Sequence, residues 1–208
     1  MSQRICWLIL LLSLITSQLK AKPNVVFIYT DDQAPFAVNA AGDSRFITPN
    51  IDRIFHEGAH LKNSFVTTPV CSPSRVGLIT SRYGSEFSIT DWINPGNEKQ
   101  LGLPKDALTF PALFQKAGYQ TALFGKWHLG DKKQNHPLKN GFDYFWGFIS
   151  GARNYFYDPN EVKRNSNRNV VENYSQTKFE GYLTDVLGEK AISFIDKNNQ
   201  SNNPFFLF

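Results

Sequence analysis

Cys71 stands in the run VCSPSR, with Arg75 four residues after it, close to one turn of helix. A helix starting at this point would place the thiol at its N-terminus, where free backbone N–H groups and the helix dipole favour negative charge. The Arg75 guanidinium could then point back to the same spot. Such residues suit the binding of an oxyanion and the activation of a nucleophile. An inert cysteine beside an ordinary surface arginine is an equal alternative, because cysteine often packs as a small hydrophobe. Asp31 and Asp32 form a second cluster. Adjacent carboxylates are costly to crowd unless a cation sits between them, and their hard oxygens suit Ca2+ or Mg2+. The same pair also begins many solvated turns. In GKWHLG, Lys126 and His128 lie two apart. Continued extended backbone would turn both to one side and Trp127 to the other. Lysine can neutralise an anion and histidine can move protons near neutral pH. Most lysines are nevertheless solvated, and many histidines are structural.

The elements that must position these groups alternate between strand and helix. Val25 to Tyr29 is a continuous apolar run, the pattern of a strand covered on both faces, and it stops at Asp31–Asp32. A helix follows with Thr48 as its cap, Pro49 in its first position and Gly58 at its stop, burying Ile51, Ile54 and Phe55 as one stripe. Residues 59–66 read as another strand or extended segment, with Leu61 and Phe65 on a common face. Pro73 is tolerated only in a helix's opening turn, so the next helix begins near Cys71 and turns Val76 and Ile79 inward. Thr109 caps a third helix with Pro111 in its first turn, Gly118 ends it, and Tyr119 to Phe124 is a strand. The aromatic, glycine-punctuated GFDYFWGF at 141–148 reads as a packed surface turn, and 151–178 as a long loop or an insertion. A fourth helix runs to about Asn198, with Leu183, Val186, Leu187, Ala191, Phe194 and Ile195 on one side. Phe205 to Phe208 opens a strand, and its position at the chain's end suggests a fragment of a longer protein.

This alternation argues for an α/β sandwich with a mainly parallel sheet flanked by helices. Ligands in such folds gather outside the carboxyl ends of the strands. Asp31–Asp32, Cys71 and Lys126–His128 each follow a predicted strand or extended segment, so all three clusters would meet at that edge.

Residues 1–21 stand apart from the fold. Arg4, the apolar run Trp7 to Ile15 and the polar stretch Thr16 to Ala21 have the pattern of a signal peptide. The run is far short of the roughly 20 residues of a membrane span, so no stable span is expected. The protein would be exported to a periplasmic, extracellular or lumenal compartment. Losing Arg4 and Lys20 would lower the net charge from +4 to +2. That excess, without a basic stripe, excludes a nucleic-acid partner. Of two cysteines, Cys6 and Cys71, only Cys71 would remain after cleavage, so disulfides cannot staple the fold. A lone thiol in an oxidising compartment calls for an explanation. Asn173-Tyr174-Ser175 fits a glycosylation acceptor if the host is eukaryotic. His56, His60 and His136 stay outside the candidate site.

CSPSR at 71–75 resembles the Cys-x-Pro-x-Arg motif of the sulfatase family, and GKWHLG at 125–130 resembles its second motif. NVVFIYTDD at 24–32 is similar to the family's opening strand and metal-binding pair. The resemblance runs from about Pro23 to the last residue and is weakest over 151–178. It implies an alkaline-phosphatase-like fold, of which residues 22–208 would be the N-terminal part of the catalytic domain. It further implies that a dedicated maturation enzyme, the formylglycine-generating enzyme, oxidises Cys71 to 3-oxoalanine (formylglycine). The hydrated aldehyde would then supply the attacking hydroxyl. Asp31, Asp32 and modified residue 71 would match ligands of a divalent ion, usually calcium. Arg75 would steady the hydrated aldehyde, Lys126 would bind sulfate oxygens, and His128 would help regenerate the aldehyde.

The resemblance therefore implies an arylsulfatase-like sulfuric ester hydrolase acting on a sulfated small molecule or glycan. Two rivals stay open: a phosphonate monoester or phosphodiester hydrolase on the same scaffold, and a non-catalytic exported binding protein. Two departures stand out. Ser81 replaces a glycine usual after the cysteine motif, which asks a helix-end turn to tolerate a Cβ. Gln33-Ala34-Pro35-Phe36 replaces a commoner glycine-bearing loop.

Overall fold

A computed structural model describes residues 22–94, 101–164, 168–201 and 203–208. The expected export segment, residues 1–21, lies outside the described residues. Six strands form one sheet: β1 (Val25–Val26), β2 (Gln120–Lys126), β3 (Tyr144–Phe148), β4 (Val170–Glu172), β5 (Ser175–Thr177) and β6 (Phe205–Leu207). Their spatial order is β1-β6-β2-β3-β4-β5. The first four in that order pair in parallel, and β4 and β5 extend the sheet as an antiparallel hairpin. The α-helices are α1 (Pro49–Glu57), α2 (Cys71–Thr80), α3 (Phe110–Lys116), α4 (Pro159–Arg164) and α5 (Leu183–Asn199). Among the described residues, no helix is long and apolar enough to cross a membrane.

Strand periodicity divides the core between the two faces of the sheet. Leu123, Phe145 and Phe206 pack on one face with Val76 and Ile79 of α2 and Phe110 and Phe114 of the α3 region. Ala122, Phe205 and Leu207 face the other way and meet Ala191, Phe194 and Ile195 of α5. Leu183, Val186 and Leu187 continue that contact onto Trp146 and Val170. The helical period predicted for α5 is therefore the face that it buries. Thr109 caps α3 as expected, its Oγ1 accepting the Ala112 N–H at 3.3 Å.

Several local expectations need correction. GFDYFWGF is not a surface turn, because β3 takes its last five residues into the sheet, with Phe145 and Trp146 fully covered. Its glycine is what permits this: a Cβ on Gly147 would lie 1.9 Å from the Gly125 carbonyl oxygen of paired β2. Residues 59–66 form no strand, and Leu61 and Phe65 are exposed. The α1 stripe is not buried either, since Ile54 is exposed, and Thr48 gives no side-chain cap. Its Oγ1 instead accepts from the Asn39 N–H and donates to Asp52. The 151–178 segment contains α4, β4 and β5 rather than one long loop. The β1 run is covered on one face only: Val26 and Ile28 are exposed while Val25 and Phe27 pack on the core.

Candidate active site

Helix α2 begins at Cys71 itself, and Pro73 occupies its opening turn, where a missing N–H costs nothing. Val70 precedes it in extended conformation and offers no side-chain cap, so no capping side chain takes the Cys71 and Ser72 N–H groups, while the Ser74 N–H donates to the Val70 carbonyl at 3.0 Å. Val76 and Ile79 anchor the helix in the core. Its end is closed by Ser81 in left-handed backbone, φ 57°, whose N–H donates to Gly77 at 3.0 Å. The departure at Ser81 thus falls where glycine is favoured.

Four of the six predicted residues line one open cavity of ≈ 580 Å³: Asp31, Asp32, Cys71 and Arg75. Arg75 is buried and holds the site together. Its Nη1 donates to the Lys126 carbonyl at 2.8 Å and its Nη2 to Asp31 Oδ2 at 2.9 Å. The guanidinium also lies over the Tyr29 ring, 5.4 Å from the centroid. Tyr29 and Ser74 hydroxyls are 2.9 Å apart, fixing that ring against α2. Arg75 therefore reaches back across to the end of β1 and β2, rather than standing free at the surface.

Lys126, mostly buried, reaches the cavity wall through Asp31, with Nζ 2.9 Å from the same Oδ2. One carboxylate oxygen thus lies between two cations. Burial alone would raise the Asp31 pKa, but hydrogen bonds and charge from Lys126 and Arg75 outweigh it and hold the carboxyl below its usual range. Asp32 has left-handed backbone, φ 55°, and is exposed.

His128 sits behind the cavity wall. The backbone still follows β3 at this point, with Trp127 and His128 N–H groups donating to Phe148 and Ile149 carbonyls. At His128, however, φ turns to 59°, so the continued extension expected from Lys126 fails there. The two side chains take different partners: Lys126 meets Asp31, and His128 Nε2 meets the Ile93 carbonyl at 3.1 Å. A carbonyl can only accept, so Nε2 carries the hydrogen and Nδ1 keeps a lone pair. Nδ1 is buried without a hydrogen-bond partner among the described residues. Burial first, and then the Lys126 charge, bring the imidazole pKa down to about 4. The ring is neutral at neutral pH, and its burial opposes protonation.

Ser72 and Ile93 are participants that the motifs alone do not reveal. Ser72 Oγ accepts the Ile93 N–H at 3.0 Å, while the Ile93 carbonyl faces His128. Sequence carried no signal for Ile93, which lies between the two motifs. Trp92, on the cavity wall, was likewise missed. Asn173, in the possible glycosylation acceptor, accepts the Phe145 N–H with its Oδ1 at 3.0 Å. A separate hollow of ≈ 400 Å³ between α5 and the starts of β2 and β3 contains none of the predicted site residues.

Asp31 and Asp32 have the hard oxygens that Ca2+ or Mg2+ requires, yet Asp31 already shares one oxygen with Lys126 and Arg75. Among the described residues, no group of three or more His, Cys, Asp or Glu side chains is placed to hold a metal. The donors fit a hard cation in kind and would supply only part of its shell.

The sequence profile named Sulfatase matches residues 23–208. An N-acetylglucosamine-6-O-sulfatase of Bacteroides thetaiotaomicron is 36% identical over 186 residues, which are 88% of this chain and 29% of that protein. The human N-acetylgalactosamine-6-sulfatase is 32% identical over 205 residues, 89% of this chain and 38% of that protein. The solved structure of Ps i-CgsB in complex with k-i-k-neocarrahexaose is similar with a TM-score of 0.81 and 35% identity, over 89% of this chain and 44% of that one. The chain spans less than half the length of each. With the motifs, the alkaline-phosphatase-like mixed sheet and the profile all coinciding from Pro23 onward, the chain belongs to the sulfatase family.

Proposed function

We propose that the protein carrying this chain hydrolyses a sulfate monoester on a carbohydrate, giving an alcohol and sulfate. The observation that carries this reading is the grouping of Cys71, at the first residue of a helix, with Asp31, Asp32 and a buried Arg75 around one cavity. A glycan substrate is supported by the relatives that match most of this chain, whose names specify amino-sugar sulfates, whereas a steryl-sulfatase and an arylsulfatase match a shorter part of it.

Sulfur in a sulfate ester is shielded by negative oxygens, so catalysis requires charge neutralisation and an aligned nucleophile. Cys71, matured to formylglycine, supplies that nucleophile as one hydroxyl of the hydrated aldehyde, which attacks sulfur as the ester oxygen leaves as the alcohol. Arg75 is anchored to Asp31 and the Lys126 carbonyl, and steadies residue 71 from one helical turn away. Lys126 offers positive charge to the sulfate oxygens. A divalent cation, calcium by preference, would be held in part by Asp31, Asp32 and modified residue 71 and would add Lewis-acid charge against the same oxygens. His128, whose Nδ1 lone pair is unpartnered among the described residues, is the proposed acceptor of the proton that residue 71 gives up as sulfate departs. The maturation enzyme is the implied protein partner. Residues 1–21 serve as an export signal, so N-terminal sequencing of the secreted product should find its first residue between positions 18 and 24.

The deciding measurement is sulfate release by the full-length protein, co-produced with a formylglycine-generating enzyme, from N-acetylhexosamine 6-sulfates and sulfated galactan oligosaccharides. Release that disappears in Cys71→Ala supports the reading. Turnover of phosphonate monoesters or phosphodiesters in preference to sulfates would transfer the site to that chemistry, and glycan binding without any turnover would make the protein a binding module.

A further inference from the structure

Trp92 is 52% exposed on the wall of the cavity that also holds Cys71, Asp31, Asp32 and Arg75. The other tryptophans among the described residues, Trp127 and Trp146, are fully covered in the core. An open indole at a polar, concave site has the character of a binding surface, because ring faces give a large apolar contact at a small cost in entropy.

Its position is also tied to the site. The next residue, Ile93, is buried and is gripped from both sides, its N–H by Ser72 Oγ at 3.0 Å and its carbonyl by His128 Nε2 at 3.1 Å. Ser72 adjoins Cys71 and is itself fully buried. The Trp92 N–H is closed locally on Asp91 Oδ1 at 2.7 Å. The backbone bearing this indole is thus pinned to both the helix of residue 71 and the histidine, an arrangement that a merely solvated surface tryptophan would not need.

We propose that Trp92 is a substrate-binding residue, stacking its indole on the apolar face of the sugar ring that carries the sulfate. This inference rests on the glycan-sulfate reading above. A pyranose presents C–H groups on a face and hydroxyls around its rim. Stacking on that face orients the ring without competing for the charged groups, which stay free for the sulfate. Trp92 thereby adds ground-state affinity and selectivity for cyclic sugars, and changes the chemical step little.

The test compares Trp92→Leu and Trp92→Phe with the wild type in the matured full-length protein, using the glycan sulfate that the wild type hydrolyses best. Leucine keeps apolar bulk and removes the ring, so neither variant opens a large hole. Trp92→Leu should raise KM about three- to tenfold, the range expected for one aromatic contact, with kcat changed less than about twofold. Trp92→Phe should stay near the wild-type KM, and the desulfated sugar should lose inhibitory strength against Trp92→Leu in the same ratio. A KM in Trp92→Leu equal to the wild type, or Phe and Leu variants equally impaired, would overturn the proposal. A wild type that releases sulfate from no glycan would overturn the glycan reading itself, and this inference with it.

Discussion

Arg75 Nη2 donates to Asp31 Oδ2 at 2.9 Å, and Lys126 Nζ approaches the same oxygen at 2.9 Å. A charge-assisted hydrogen bond is shorter and stronger than a neutral one, and here the two cations are largely buried while the carboxylate they share is half exposed. Arg75→Lys keeps the charge but cannot span both Asp31 and the Lys126 carbonyl with a planar fork. We expect this variant to lose at least about tenfold in kcat/KM, equivalent to roughly 1.4 kcal/mol. Steady-state kinetics with a glycan sulfate would check it, and an unchanged kcat/KM would mean that the anchoring is structural only.

Cys71 should carry an aldehyde in protein made alongside a competent maturation enzyme. Conversion removes sulfur and two hydrogens and adds oxygen, lowering the peptide mass by roughly 18 Da. Mass spectrometry of the tryptic peptide spanning residue 71 reads this directly. A thiol of unchanged mass in fully active enzyme would refute the proposed nucleophile.

Asp32 contributes one charge to the proposed cation site from left-handed backbone, φ 55°. Asparagine tolerates that conformation, so Asp32→Asn removes the charge with little backbone penalty. Added calcium should raise the melting temperature of the wild-type protein, as any ligand of the native state does, and raise that of Asp32→Asn less. Equal calcium responses in the two proteins would remove Asp32 from the cation shell.

His128 should make the protein sensitive to mild acid. Its folded pKa is lowered from 6.5 to about 4, first by burial and then by Lys126, with Arg75 adding to the effect and the Ile93 carbonyl and Asp31 opposing it. Between those values the unfolded chain binds the proton and the folded one does not, so stability falls as pH drops through that window. At pH 5 the loss attributable to His128 is about 2 kcal/mol relative to neutral pH. Urea midpoints measured at neutral pH and at pH 5 should converge in His128→Gln, which keeps a donor for Ile93 and does not titrate. An acid loss of equal size in both proteins would assign the effect to other groups.

Ser81 ends α2 at φ 57°, a conformation that disfavours a Cβ. Ser81→Gly should stabilise the protein by about 0.5–1 kcal/mol and raise its melting temperature, with no change in the chemistry of residue 71. A lower melting temperature would show that the Ser81 side chain makes a compensating contact.

The helix at Cys71, the cap at Thr109, the apolar side of α5 and the parallel character of the sheet all followed from residue order. Each rests on local periodicity or on the backbone limits of proline and glycine, which act within one or two turns. The three chemical clusters were legible for the same reason, since each is contiguous. Other features depended on contacts between distant segments. GFDYFWGF could become a covered strand only because Gly147 lies directly against Gly125, a pairing with no local trace. Ile54 and Phe65 have the pattern of buried residues, but the described structure leaves both exposed. His128 departed from the alternation expected of a strand because its backbone turns left-handed and its ring finds the Ile93 carbonyl, 35 residues away. Amino-acid order determined which groups are present and on which elements they ride. Tertiary packing decided which oxygen Arg75 and Lys126 share, which histidine nitrogen is free, and that Trp92 faces the cavity, because hydrogen bonds and burial join residues by distance in space.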